Sequence, residues 1–161
     1  MRRGSKVFLV LALAFGLVAF GGVAAASNGT VKLKAQMSGA QEVPAADPDG
    51  RGLAEVVIDV DGEEACFDIK VANTGAPNRG HIHKEAVGVN GPIVVTFFEL
   101  RPGDAPATDP RHDEIERGRI QGCVTADSAL LADIVAHPEA YYVNVHNTRY
   151  PGGNLRCQLD G

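Results

Sequence analysis

Two histidines one residue apart, His81 and His83, and a third at His146 are the side chains of this chain best suited to holding a metal ion. In an extended strand, residues i and i+2 project from the same face, so the imidazoles of His81 and His83 point the same way. If the strand carrying His146 lies beside them, three imidazole nitrogens converge. Such a set suits copper or zinc with one coordination position left open. The same residues also have a purely structural reading, in which each ring hydrogen-bonds to Asn144, Asn90 or turn backbone and fixes the loops at one end of the fold. His112, beside Asp113 and Glu114, and His137, just before Pro138, are not aligned with the other three.

Other chemistries lack their residues. No serine stands in a GxSxG elbow, and no glycine-rich phosphate loop occurs, the GVNGP segment reading as a turn. Asp47, Asp49, Asp59, Asp61, Glu63 and Glu64 gather around turns without the spacing of a calcium loop and read as a solvated acidic rim. Cys157 as a nucleophile would need a nearby base and a lowered pKa, whereas RCQL reads as a strand and makes it a buried structural thiol. No catalytic residue is assigned. A non-enzymatic binding or structural role is expected, with copper or zinc at the three histidines as the alternative.

The elements that must position the histidines are strands. Val31, Leu33, Ala35 and Met37 alternate with polar residues, the period of a strand with one buried face. Leu53 to Val60 and Ala65 to Ala72 read as a hairpin, with Asp61-Gly62 supplying the positive φ angles of its turn. His81 to His83, Ile93 to Phe98, Gly118 to Val124, Tyr141 to His146 and Leu155 to Leu159 are further strands. Arg101 to Arg117 is polar and proline-rich, as in a surface loop. Leu130, Leu131, Ile134 and Val135 recur at helical spacing after a cap at Thr125 or Asp127 and before Pro138. About eight strands and one short helix predict an all-β fold, an antiparallel Greek-key β-sandwich, with a closed barrel as the alternative.

The N-terminus carries Arg2, Arg3 and Lys6, then an apolar run from Val7 to Phe20 and the small residues Ala24 to Ala26. That order predicts a signal peptide over 1–26 and one mature domain over 27–161, without a stable membrane anchor after cleavage. Cleavage removes three basic residues and no acidic ones, taking the formal charge from −5 to −8. An acidic domain repels phosphate backbones, so nucleic acid is not an expected partner; an extracytoplasmic protein or ligand is. Three cysteines, Cys66, Cys123 and Cys157, in an oxidising compartment predict one disulfide and one leftover thiol, with three pairings open.

SGAQEVP, HIHKEAVGVNGPIVV, GCVTAD and YYVNVHNTRYPGGNLRCQL follow one another in an order and spacing that resemble the CHRD domain, the module repeated in chordin. The resemblance spans Lys34 to Leu159 and implies an extracytoplasmic β-sandwich, secreted or periplasmic. It also implies that Cys66 pairs with Cys123, because bacterial members often carry cysteines in both strands, whereas Cys157 stands where glycine is usual. Lys84-Glu85 and the charged stretch from Arg101 to Arg117 depart from the family pattern. Chordin's growth-factor partners belong to a larger protein and do not carry over to a lone domain. A shorter likeness links HIH and GGNLRC to the copper-zinc superoxide dismutases, which are Greek-key sandwiches with an HVH ligand strand. A dismutase-like site also wants a fourth imidazole and a zinc loop rich in His and Asp, and this sequence offers neither.

Overall fold

The computed structural model of the protein describes residues 29–100, 115 and 117–161. The 1–26 leader and nearly all of the 101–117 loop read from the sequence lie outside the described residues. Eight strands run in order: β1 Val31–Ser38, β2 Arg51–Asp59, β3 Glu64–Ala72, β4 Arg79–Lys84, β5 Ile93–Glu99, β6 Arg119–Thr125, β7 Tyr141–His146 and β8 Leu155–Gln158. One helix, α1 Ser128–Ala136, and two short 3₁₀ turns complete the described elements. All named strand pairs are antiparallel, in the order β5-β4-β7-β8-β1-β2-β3-β6. This single ladder curls until its two end strands, β5 and β6, touch. The all-β expectation holds, and the sandwich is one continuous sheet folded nearly into a barrel.

Alternation explains which side faces inward. Leu33, Ala35 and Met37 of β1, Ala54, Val56 and Ile58 of β2, and Ala65, Phe67 and Ile69 of β3 are buried. Their neighbours face outward and pair charges across strands, as Lys32 does with Glu55 at 3.0 Å and Arg119 with Asp68 at 2.9 Å. Phe67 of β3 stacks on Phe97 of β5 with ring centroids 4.6 Å apart, packing one side of the curled sheet against the other.

The β2–β3 hairpin forms as its sequence implies, but the left-handed residue in its turn is Glu63, with φ 53°, and Gly62 has no positive φ. The Asp59 carboxylate accepts from the Gly62 N–H at 2.8 Å, so side-chain capping of the turn replaces glycine's conformational freedom. In α1, Asp127 is the N-cap and accepts from the Leu130 N–H at 3.0 Å, while Leu131 and Ile134 enter the core.

Cys66 and Cys123 face each other in the β3–β6 register and are joined by a disulfide; Cys157 is free and half-buried. The bond closes a loop with a sequence separation of 57 that contains β4 and β5. Loop closure of this size restricts the unfolded chain by an amount worth about 2–4 kcal/mol. Reducing the bond, or replacing both cysteines by serine, is expected to lower the free energy of urea unfolding by that amount while far-ultraviolet circular dichroism keeps its β signature.

Candidate metal centre

The register of β4 on β7 runs unbroken from Arg79↔His146 through His81↔Asn144 and His83↔Tyr142 to Lys84↔Tyr141. Alternation therefore sends Ile82, Val143 and Val145 into the core and aligns Arg79, His81, His83, Tyr142, Asn144 and His146 on the opposite face. On β8, Arg156 continues that polar face beside Asn144, and Gln158 beside Tyr142. On its other side β4 pairs with β5 less regularly, its register shifting between Gly80 and His81 and again between Ile82 and His83.

The polar face is roofed rather than solvated. Every residue of β7 is buried, although half of them point away from the core. Arg156, 1 % exposed, donates to the Ala86 carbonyl at 3.1 Å and to Asn90 Oδ1 at 3.3 Å, holding the 85–92 loop down. Its guanidinium lies 3.5 Å from the Tyr142 ring centroid, and the imidazole of His83 stacks on Tyr142 at 4.8 Å and 7°. Gly91 closes this arrangement: its N–H donates to Tyr142 Oη at 3.1 Å and its carbonyl accepts from His83 Nδ1 at 2.9 Å. Only glycine fits there, since a Cβ would stand 2.1 Å from the Lys84 carbonyl oxygen.

The structure brings together the three histidines read from the sequence. One ring nitrogen of each lies within 4.8 Å of those of the other two. Backbone carbonyls assign the protons: Gly91 O can only accept, so His83 carries its hydrogen on Nδ1, and Pro151 O, 3.1 Å from His146 Nδ1, does the same for His146. Both neutral rings therefore present an Nε2 lone pair. His146 Nε2 sits 3.3 Å from His81 Nδ1, and in the metal-free protein it accepts that N–H. Moving the His81 proton to its own Nε2 releases Nδ1 as a third lone pair. With bonds of about 2.0–2.1 Å, two nitrogens on a tetrahedral ion stand roughly 3.3–3.4 Å apart, the spacing seen between His81 and His146. The wider separations, within 4.8 Å, close when a ring swings inward by roughly an ångström. His83 is half-buried as a residue, yet its Nε2 is fully buried and has no hydrogen-bond partner.

Burial pushes His81 and His146 down to about 4, helped at His81 by the neighbouring imidazoles and at both rings by Arg79. Burial and Arg156 also lower His83, against its hydrogen bond to Gly91. All three rings are neutral at pH 7, the form that binds metals. Behind them, Asn144 Nδ2 donates to Glu42 Oε1 at 2.8 Å. Burial raises the Glu42 carboxyl to about 7 in spite of Arg156 and Asn144, which pull it down.

The burial of several polar residues was not foreseen from sequence. Glu42, Asn144 and Arg156 form the layer beside the histidines. Asp47, read as part of a solvated rim, is instead buried: it accepts from Thr74 Oγ1 at 2.7 Å and from the Gly50 N–H at 3.0 Å. Thr74 in turn accepts from Asn147 and Asn154, tying down the turn whose Pro151 carbonyl holds His146. Asp47, Thr74, Asn147, Arg149 and Tyr150 line a cleft of about 440 Å³ beside that turn. His137 is exposed at the end of α1, and His112 lies outside the described residues.

Because the folded-state pKa values of His81 and His146 lie below the ordinary 6.5, the unfolded chain takes up protons first. Their stabilisation is complete above pH 6.5 and is lost as pH falls toward 4; Glu42, raised from 4.5 to about 7, acts with the opposite sign as pH climbs through that interval. In the metal-free protein, the ring resonances of His81 and His146 in an NMR titration are expected to stay fixed from pH 8 to roughly 5.5 and to move only near 4. Titration of either ring near 6.5 contradicts the buried, neutral arrangement.

A family model described as the CHRD domain matches residues 33–159. Neither curated proteins nor solved structures give a match. The matched span begins within β1 and ends just past β8, taking in every strand that carries or supports the three histidines, and the chain belongs to the CHRD domain family.

Proposed function

We propose that this chain is an extracytoplasmic CHRD module that binds a copper or zinc ion through His81, His83 and His146, in a binding rather than a catalytic role. One observation carries the reading: His83 Nε2 is buried without a partner, in a trio whose members are already drawn together. A buried lone pair with no donor costs about 1–3 kcal/mol, and a bound cation recovers that cost. Three neutral nitrogens with no carboxylate or thiolate among them match the borderline-soft ions copper and zinc better than calcium or magnesium. The carbonyls of Gly91 and Pro151 hold the Nδ1 side of His83 and His146, the kind of hydrogen bond that fixes the orientation of a ligating imidazole.

Export rests on separate support. The first 26 residues have the zones of a secretory leader, and the Cys66–Cys123 disulfide suits an oxidising compartment. Among the described residues, no helix is long and apolar enough to cross a membrane.

The test is thermal unfolding of the mature, disulfide-intact domain with and without Cu(II) or Zn(II). A ligand at about 100 times its dissociation constant stabilises the native state by roughly 2.7 kcal/mol, or about 10 °C in Tm for a domain of this size. That rise is expected for the wild type and is expected to vanish in His83→Ala. If neither ion raises the wild-type Tm while His83→Ala lowers it, the histidines only fasten loops and the metal reading is wrong.

A further inference from the structure

Two of the three buried polar atoms left without partners among the described residues lie on the same polar face: His83 Nε2 and Asn144 Oδ1. Asn144 stands directly across the ladder from His81 and two residues before His146, so the sheet places it among the three imidazoles. It is 4 % exposed. Its amide is not free to turn, because Nδ2 is committed to Glu42 Oε1 at 2.8 Å. Glu42 is itself confined: it packs where residue 153 has no side chain, and a Cβ there would stand 2.6 Å from Glu42 Oε2. The arrangement spends one end of the Asn144 amide on an anchor and leaves the other, an acceptor, aimed at nothing.

A buried acceptor calls for a donor or a cation. Against three imidazoles, an amide oxygen is a poor ligand for copper or zinc, yet it is a good acceptor for an O–H group. Three nitrogen ligands leave the fourth position of such an ion to water, whose hydrogens the ion polarises into strong donors. We propose that Asn144 Oδ1 accepts a hydrogen bond from the water in the fourth position of the metal, making Asn144 the positioning residue for whatever exogenous ligand the ion takes. This rests on the metal reading above. It adds that the open position is oriented, with a preference for ligands that carry a hydrogen to donate over anions that do not.

Azide is the probe, because it binds an open copper position, brings no hydrogen, and gives a charge-transfer band on coordination. In the Cu(II)-loaded mature protein, Asn144→Leu is expected to tighten azide binding by about 3- to 10-fold, since the displaced water has lost its acceptor and the anion no longer faces a carbonyl dipole. Copper affinity in Asn144→Leu is expected to fall by at most about tenfold, against near-complete loss in His83→Ala. Unchanged azide affinity in Asn144→Leu overturns the inference, and so does a loss of copper as severe as that in His83→Ala, which would make Asn144 a ligand. Should the leucine variant not fold, Asn144→Ala takes its place, and tightened or unchanged azide binding decides in the same way. A wild type that binds no copper removes the metal reading itself, an outcome distinct from intact copper binding with azide indifferent to residue 144.

Discussion

The pairing of β4 with β7 is the constraint from which the rest follows. Six consecutive cross-strand partners, Arg79↔His146 to Lys84↔Tyr141, lock two opposite faces at once. One face gives Ile82, Val143 and Val145 to the core, and the other gathers Arg79, three imidazoles, Tyr142 and Asn144. A slip of one residue would exchange the faces, sending histidines into the core and valines under the loops. The apolar face therefore guards the geometry of the polar one, and no separate device is needed to hold the histidines in line.

Burying so polar a surface is costly, and the loops offset that cost with specific partners. Arg156, Tyr142 and His83 form a continuous stack under the 85–92 loop, while Glu42 reaches over from the segment after β1 to meet Asn144. Asp47, Thr74, Asn147 and Asn154 form a second network that fixes the turn ahead of Pro151. Each network spans distant parts of the chain, so the loops are tied to the sheet by polar contacts. Among the described residues three buried polar atoms are left unpaired, Asn78 Oδ1, His83 Nε2 and Asn144 Oδ1, and the last two stand out against the otherwise thorough pairing of this face.

Much of the fold was legible because alternation is a local signal. The period-two patterns of Val31 to Met37 and Tyr141 to His146 became strands, and the i, i+2 spacing of His81 and His83 set both rings on one face. What was not legible depends on distance. Glu42 meets Asn144 across 102 residues, and nothing in SGAQEVP marks its glutamate as buried. Alternation in YYVNVH reads the same whether the polar face meets water or a roof of loops, so the burial of Asn144 and His146 was invisible. Composition alone left three cysteine pairings open; the resemblance to the CHRD domain implied Cys66 with Cys123, and the register of β3 on β6 bears that pairing out. At Asp61-Gly62 the hairpin was foreseen but not its mechanics, because an Asp59 side-chain contact settles the turn and the left-handed conformation passes to Glu63.

A strand with no solvent side has a particular consequence for change. All of Tyr141–His146 is enclosed, so a substitution there disturbs either the apolar interior or the imidazole layer, and no position in it is neutral ground. Tolerance for new sequence is concentrated instead at the rim, where Val87, 73 % exposed, and Val89, 48 % exposed, ride on the loop that covers the histidines. Anyone diversifying this scaffold should leave the strand alone and vary that rim, where new recognition can be written without touching what lies beneath.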